Sequence, residues 1–565
     1  MEKRLVLAIF LSFLILFLYQ LLFIKPHTPP VKPAEQTATT QKPATTAEKS
    51  IQPQAGESIN LGGQSAVKSG AVTAEKEEEV IVETPLYIAI WGNRGGVLKS
   101  WKLKHQLETI PSRKNPKPEP LDLVPETAKR TGIFPFALKL EDKDLTDRIN
   151  QALYQVKADK LELSPGQKGS LIFEYSDGNT IIIKKEFVFN GQDYSFALKI
   201  EVEIAGRKVD PFILWGPGIG TLSPEELKQK FSAARGVAFL TGGKVIRIQE
   251  KKIGPENEAT RYANLTWAGY EENYFAALFI LNPESRAFAF KIELSEPQNG
   301  NQPAAVPYYY LAFSNPAEAY LGPKEYDRLS AYGHQAKKII NFGFFGGVAE
   351  ILLVATKYIH GFFPNWGVAI IIMTLIIKIL FFPLTYSSTK SMAKMQEIQP
   401  KIKALRAKYK KAKQDMEQRR QMNEELMRLY KEHGINPAGG CLPLLIQLPV
   451  FWGFFRMLVV AVEFRHSPFV FWIKDLSVKD PYYVTPILMG VTQYISQKMT
   501  PSAADPAQQK MMLLMPFIFT IFFMNFQAGL VLYWLTNNVL QIAQQAIMNK
   551  MMAAKREKDG KRRKK

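Results

Sequence analysis

Hydrophobic and polar positions change rhythm several times along this chain, and each change marks a boundary. The first stretch, "LVLAIFLSFLILFLYQLLFI" from Leu5 to Ile24, is twenty uncharged residues. As a helix it spans about 30 Å, the thickness of a bilayer's hydrocarbon core. Lys3 and Arg4 precede it and hold its start on the cytoplasmic side. A cleaved signal peptide has a shorter apolar core and an A-x-A site, so residues 1–24 read as a retained anchor. Residues 25–80 are rich in Pro, Thr, Ala, Gln and Lys and poor in large apolar side chains. Such a stretch cannot bury enough surface to fold and reads as a disordered linker.

From 81 to 340 the rhythm becomes alternation. "LYIAIW", "SLIFEY", "TIIIKKEFVF" and "SFALKIEVEI" are period-2 runs divided by turn-forming "SDGNT" and "FNGQD". Many strands at this spacing predict a large antiparallel β-sandwich. "SPEELKQKF" predicts a short helix, with Ser223 as N-cap and Glu226 closing a capping box. "LTWAGYEENYFAALFI" gathers aromatic residues and two acids; a core strand with edge residues is favoured over a carbohydrate site. With the anchor starting inside, this domain lies outside, in the periplasm of a two-membraned cell.

Helical rhythm takes over at 344–363. There Val348, Ile351, Leu352, Ala355, Ile359 and Phe362 share one face, predicting an amphipathic helix in the membrane interface. Five further spans follow, at 366–385, 440–463, 482–498, 509–525 and 529–548, the last two turned by "NFQAG" with Asn525 and Gly529 as turn residues. Between the first two of these, residues 387–436 carry apolar positions at Met395, Ile398, Ile402, Leu405 and Tyr409, then at Met422, Leu426 and Leu429. Steps of three and four on either side of "KKAKQD" predict a coiled-coil hairpin. Pro400 is expected to kink or restart its first helix, and Gly434 to end the second.

Charge sharpens the topology. The chain of 565 residues carries a formal charge of +20. The segment 387–436 has 13 basic and 6 acidic residues, and the tail from Lys550 has 9 basic and 2 acidic. Six spans that begin inside also end inside, so the hairpin and the tail 550–565 both face the cytoplasm, where the positive-inside rule wants them. The single cysteine, Cys441, excludes an internal disulfide framework. The histidines never fall at metal-ligand spacing, and neither a phosphate-binding loop nor a nucleophile elbow occurs. No metal, cofactor or enzymatic activity is expected.

Lys378 lies inside the span 366–385, roughly 10 Å from its cytoplasmic end. A Lys at the centre of a span costs about 2.5–3.5 kcal/mol on insertion scales, so its presence needs a reason. Thr374 and Thr385 extend one polar stripe with it. Met489, Gln493 and Gln497 form a second, Tyr533, Asn537, Gln541 and Gln544 a third, and Gln447 lies in the span 440–463. If these faces converge they line a wet groove around Lys378. Snorkelling of the Lys stem to the headgroups is the plain alternative. Arg456, nearer the outer face, is expected to snorkel outward or to pair with Glu463. A positive centre suits acidic residues of a polypeptide being drawn inward, and the span interiors lack the carboxylate relay of a cation transporter. The basic hairpin and the tail residues Lys561, Arg562, Arg563, Lys564 and Lys565 either dock on ribosomal RNA or merely fix orientation; composition leaves both open.

"NWGVAIIIMTLIIKILFFPLT", "SMAKMQEIQPKI", "INPAGGCLPLLIQLPVFWGFF", "DPYYVTPILMGVTQYISQKM" and "GLVLYWLTNN" together resemble the YidC family of membrane protein insertases, bacterial relatives of the mitochondrial oxidase-assembly and chloroplast albino proteins. The resemblance covers nearly the whole chain. It implies a monomeric insertase of the inner membrane with a five-helix core, whose groove is open to cytoplasm and lipid. Its substrates are nascent membrane proteins, and its partners are the ribosome, signal-recognition targeting factors, the Sec translocon and the bilayer phospholipids. The family's groove charge is usually Arg, and Lys378 stands there in this chain. By the same likeness Thr374, Tyr533 and Trp534 line the groove, the hairpin meets ribosome or targeting factors, and the outer domain has a galactose-mutarotase-like sandwich. A secondary transporter and a membrane-tethered periplasmic sugar-binding or sugar-modifying protein are the competing classes. The first lacks a visible inverted repeat, and the second requires an acid pair in a pocket.

Overall fold

The computed structural model describes residues 70–111, 115–158, 160–220, 235–298, 301–409, 415–435, 442–500 and 506–563. The anchor 1–24, the linker up to 69, the helix expected over Ser223–Phe231, Cys441, Lys564 and Lys565 lie outside them. The alternating runs form strands of three antiparallel sheets. The largest runs in the spatial order Lys244–Gln249, Gly236–Thr241, Leu265–Glu271, Phe275–Leu281, Pro316–Pro323, Ser195–Ile204, Ile181–Asn190, Lys168–Ser176 and Gln155–Ala158, with Arg207–Val209 paired to Ser195–Ile204. A five-stranded sheet built around the long hairpin Arg286–Gln298 and Asn301–Phe313 and a four-stranded sheet starting at Glu79–Glu83 complete the β-domain.

Strand Ile181–Asn190 shows how the alternation works, and where it carries an unexpected passenger. Ile181, Ile183, Phe187 and Phe189 point inward and are buried, and Lys185 shares their phase. Its ammonium is fully enclosed and donates to the carbonyls of Gly95 (2.6 Å), Phe136 (2.8 Å) and Gly96 (3.2 Å). Three acceptors match the three N–H donors of an ammonium, so a buried charge here ties the turn at Gly95–Gly96 to the sheet.

The acids of "LTWAGYEENYFAALFI" do not form a pair in a pocket. Glu271 accepts from Arg247 (2.8 Å) and Lys324 (3.4 Å), and Glu272 accepts from the backbone N–H groups of Tyr274 and Phe275 within the hairpin turn. Burial pushes the Lys324 ammonium down, and Glu271 beside it pulls it back. The cavity of about 420 Å³ in this domain is lined by Glu77, Arg94 and Lys99, whose charges are already joined in ion pairs.

After the short helices Thr127–Thr131 (α1) and Lys143–Gln151 (α2), helices α3 (Tyr326–Tyr332) and α4 (Gly346–Phe362) lead out of the β-domain. The remaining helices are α5 (Trp366–Leu380), α6 (Phe382–Glu397), α7 (Gln399–Lys408), α8 (Met416–Glu432), α9 (Leu442–Val460), α10 (Val484–Met499), α11 (Pro506–Phe523) and α12 (Ala528–Arg563). Among the described residues no single helix is long and apolar enough to cross a membrane; α4 and α5 pass together but bend by 120°. Helices α5 and α10 are 15 and 16 residues long, and in α12 polar side chains such as Asn537, Asn538 and Gln541 lower the mean hydropathy.

Several boundaries differ from the sequence reading. The span 366–385 breaks after Leu380, because Pro383 in the first turn of α6 removes a helical N–H and clashes with the preceding turn. The residues expected to share one apolar face of α4 divide: Leu352 and Ile359 pack inward with Ala349, Leu353 and Thr356, while Ile351 and Phe362 point outward with Val354 and Tyr358. Gly529 is not a turn residue but sits in the first turn of α12, where a Cβ would lie 3.2 Å from both the Leu458 side chain and the Leu476 carbonyl. The basic tail is the continuation of α12 as far as Arg563.

One hydrophobic cluster runs without interruption from the sandwich through Ile339 and Phe342 to Leu352, Ile370, Phe454 and Tyr533. Charged groups clamp the same joint. Lys357 of α4 pairs with Asp327 of α3 (2.6 Å) and with Glu463 (3.2 Å). The Arg465 guanidinium donates to the Leu107 carbonyl (2.9 Å) and lies over the Phe275 ring. Arg456 donates to the Asn341 carbonyl rather than pairing with Glu463, whose carboxylate is taken by Lys357.

Replacing the buried β-domain ammonium tests this account of the fold. Lys185→Met leaves three enclosed carbonyls without donors and is expected to cost about 2–3 kcal/mol. Urea unfolding of the full chain, followed by tryptophan fluorescence, measures it; a midpoint equal to wild type contradicts the assignment.

Candidate functional site

The stripes read along the sequence meet in a polar seam inside the helical bundle. Helix α5 begins at Asn365, whose side chain accepts from the Val368 N–H and donates to the Phe469 carbonyl (2.9 Å). Gly367 then lets Phe469 approach so closely that a Cβ would lie 2.0 Å from its ring. These contacts fix the N-terminal end of α5, and Lys378 lies in its last turn. There the ammonium donates to the Gln541 amide oxygen of α12 at 2.8 Å.

One turn earlier on α12, Asn537 accepts from the Gln447 amide of α9 at 2.9 Å, and the same amide donates to the Tyr533 hydroxyl at 3.1 Å. Tyr533 is buried and stacked on Phe454, with ring centroids 4.2 Å apart. Trp534 donates its indole N–H to the Gln493 carbonyl oxygen of α10 at 3.1 Å, and its ring packs against Phe451 and Phe523. Helix α12 thus carries the centre of the seam, joined to α5 at Gln541, to α9 at Tyr533 and Asn537, and to α10 at Trp534.

Thr374 shares the α5 stripe with Lys378 but bonds within its own helix. It is 1% exposed and its hydroxyl donates back to the Ile370 carbonyl of its own helix at 2.7 Å. The hydroxyl is satisfied one turn earlier, leaving Lys378 as the α5 group that reaches across to α12.

Outside the seam the same helices are apolar. Leu375, Ile376, Ile379 and Leu380 are exposed on α5, Ile487, Leu488 and Val491 on α10, and Leu514, Phe517 and Ile521 on α11. A bundle with amides and an ammonium inside and bare aliphatic side chains outside inverts the usual soluble arrangement and suits a lipid surround. Helices α10 and α11 approach closely at Gly490, where a Cβ would fall 1.9 Å from the Thr520 hydroxyl oxygen.

Gln541 stands on the α12 stripe read from the sequence, although no local pattern pairs it with Lys378 directly. Two further residues that matter were not singled out. Asn538, 3% exposed, donates to the Met489 carbonyl (3.1 Å) and fastens α12 to α10. Asp480, 1% exposed, accepts from the Trp472 indole and from the Thr485 backbone and hydroxyl, closing the connection between α9 and α10.

In the helical arm beyond α5, where a hairpin with a kinked or restarted first helix was expected, that first helix is divided into α6 and α7. Met395 lies on α6, Ile398 at the break, and Ile402 on α7, which restarts with Pro400 in its first turn. These three pack with Ile435 against Leu426, Leu429 and Tyr430, so they form the arm's own core. Leu405 is half-buried, and Tyr409 donates its hydroxyl to Glu425 at 2.9 Å. Lys561, Arg562 and Arg563 continue α12. Among the described residues no group of three His, Cys, Asp or Glu is placed to hold a metal ion.

Comparisons with known proteins follow this division of the chain. A family model described as "60Kd inner membrane protein" matches residues 358–556, and one described as "YidC periplasmic domain" matches 79–355. A membrane protein insertase YidC of Citrifermentans bemidjiense is 36% identical, with 98% of this chain and 100% of the relative covered. A solved active YidC insertase with its first transmembrane domain resolved aligns over 84% of this chain and 94% of its own, at 19% identity and a TM-score of 0.35. An Escherichia coli protein described as a putative aldose 1-epimerase aligns over 44% of this chain and 100% of its own, at 9% identity and a TM-score of 0.21. Both structural likenesses are too loose to carry an argument. The family models and the identity across almost the full length carry it: this chain belongs to the YidC family of membrane protein insertases.

Proposed function

We propose that the polar seam is the floor of a groove through which this insertase passes the hydrophilic flank of a client while the client's apolar segment enters lipid alongside. The observation that carries the reading is the Lys378 ammonium, held by Gln541 inside a bundle whose outer surface is aliphatic. A cation retained there attracts a carboxylate on an entering chain, and the seam amides offer further hydrogen bonds. The groove shortens the hydrocarbon that a polar flank must cross. Burial of about twenty apolar residues then supplies the driving force, with no nucleotide or cofactor.

The topology that goes with this reading has six spans, both termini and the arm α6–α8 in the cytoplasm, and the β-domain in the periplasm. Thr374, Gln447, Gln493, Tyr533, Trp534 and Asn537 support or line the groove. The exposed basic side chains of α7 and α8, together with the cationic end of α12, meet ribosome or targeting factors by phosphate or acidic-surface contacts. The β-domain faces the Sec translocon. The aliphatic faces of α5, α10 and α11 contact phospholipid.

Two outcomes check this. In insertase-depleted cells Lys378→Arg preserves insertion, and Lys378→Ala impairs clients with acidic translocated tails most. Equal insertion of such clients by wild type, Lys378→Ala and Lys378→Glu removes the ammonium from the mechanism. Deleting 550–565 weakens ribosome co-sedimentation, most visibly at low salt, where exposed charges are least screened; an unchanged salt titration leaves the tail only its orienting role.

A further inference from the structure

Lys378 reaches its position by a long flexible stem, and such a stem is free to lift its ammonium toward the headgroups unless something holds it. Gln541 does the holding, and it sits on a different helix. Along α12 the polar side chains Tyr533, Asn537 and Gln541 step by four, but their engagements differ. The first two bond to Gln447 of α9, whereas Gln541 bonds to the cation. The choice of an amide is chemically specific. A carboxylate at 541 would neutralise the ammonium and compete with any acidic cargo. An aliphatic side chain would leave the ammonium free to snorkel. A neutral amide oxygen accepts one hydrogen bond and leaves the positive charge uncompensated. The same amide carries two N–H donors, so once a cargo carboxylate takes the ammonium, rotation of the Gln541 amide presents a donor to that carboxylate.

We propose that Gln541 is the positioning residue of the groove cation, a rest-state partner that an acidic cargo group displaces, and that it sets the preference for acidic client flanks. This rests on the groove reading above and goes beyond it by naming the residue that tunes the charge.

The test is a ratio. Insertion of a client with an acidic tail and of the same client with a neutral tail is measured in depleted cells for the full chain, Gln541→Leu, Gln541→Glu, Gln541→Asn and Lys378→Ala. Gln541→Leu is expected to lower the acidic-to-neutral ratio about fivefold, the weight of one hydrogen bond. Gln541→Glu is expected to bring it to the Lys378→Ala value, and Gln541→Asn, whose amide is one methylene short, to fall between. In a Lys378→Gln background Gln541→Leu should add no further loss of the preference, since no cation remains to be held in place. A role confined to helix packing would lower both clients together and leave the ratio unchanged, which overturns the proposal. If Lys378→Ala lowers the ratio while Gln541→Leu and Gln541→Glu do not, the inference about Gln541 fails and the groove stands. If Lys378→Ala also leaves it unchanged, both fall.

Discussion

An ammonium group placed among apolar helices must keep a polar surround, and that requirement organises the rest of the molecule. Lys378 cannot pack against Ile or Phe as its neighbours on α5 do, so polar residues have to come to it from other helices. Gln541 meets it directly, and the bonds of Gln447 to Tyr533 and Asn537 lie further along α12. A bundle assembled this way keeps its amides inside and its aliphatic side chains outside. On the proposed groove reading, a client that brings a polar flank and an apolar segment together meets both surfaces at once.

The β-domain is part of the same construction. Its core is continuous with that of the bundle, and the Lys357, Arg456 and Arg465 contacts place charged groups at the joint. Helix α4 therefore lies between two bodies, with one face packed inward and Ile351, Val354, Tyr358 and Phe362 turned out. The sandwich has its own enclosed cation in Lys185, satisfied by three carbonyls of its own fold. The contrast is instructive: three carbonyls occupy every donor of Lys185, whereas the amide that Lys378 meets leaves room for another acceptor.

Much of this was legible in the sequence because period-2 and period-3.6 patterns report directly on burial. "TIIIKKEFVF" marked the strand whose buried phase is Ile181, Ile183, Phe187 and Phe189, and the stripes on α10 and α12 placed Gln493, Tyr533 and Asn537 on polar faces. What escaped were features set by distant or aperiodic contacts. Lys378 and Gln541 are 163 residues apart, and no local pattern names that pair. Arg456 looked matched to Glu463, seven residues on, but docking of the β-domain brought the Asn341 carbonyl to the arginine and Lys357 to the glutamate. Asp480 lies in an irregular connection where periodicity says nothing. The break after Leu380 was hidden because the apolar run continues through Phe381 and Phe382 up to the proline that causes it. Periodicity put Ile351, Leu352, Ile359 and Phe362 on one apolar face of α4, but only docking of the β-domain decides which of them pack inward.

The most direct measurement is solvent access along α5. With Cys441 replaced by Ala, single cysteines are introduced at 375, 378 and 379 and challenged in sealed vesicles with a small, charged, membrane-impermeant thiol reagent from the cytoplasmic side. The account predicts rapid labelling at 378 and slow labelling at 375 and 379, whose side chains face outward among aliphatic groups. A thiol at 378 that stays as unreactive as those two neighbours would mean that water does not reach the seam, and the groove would have no basis.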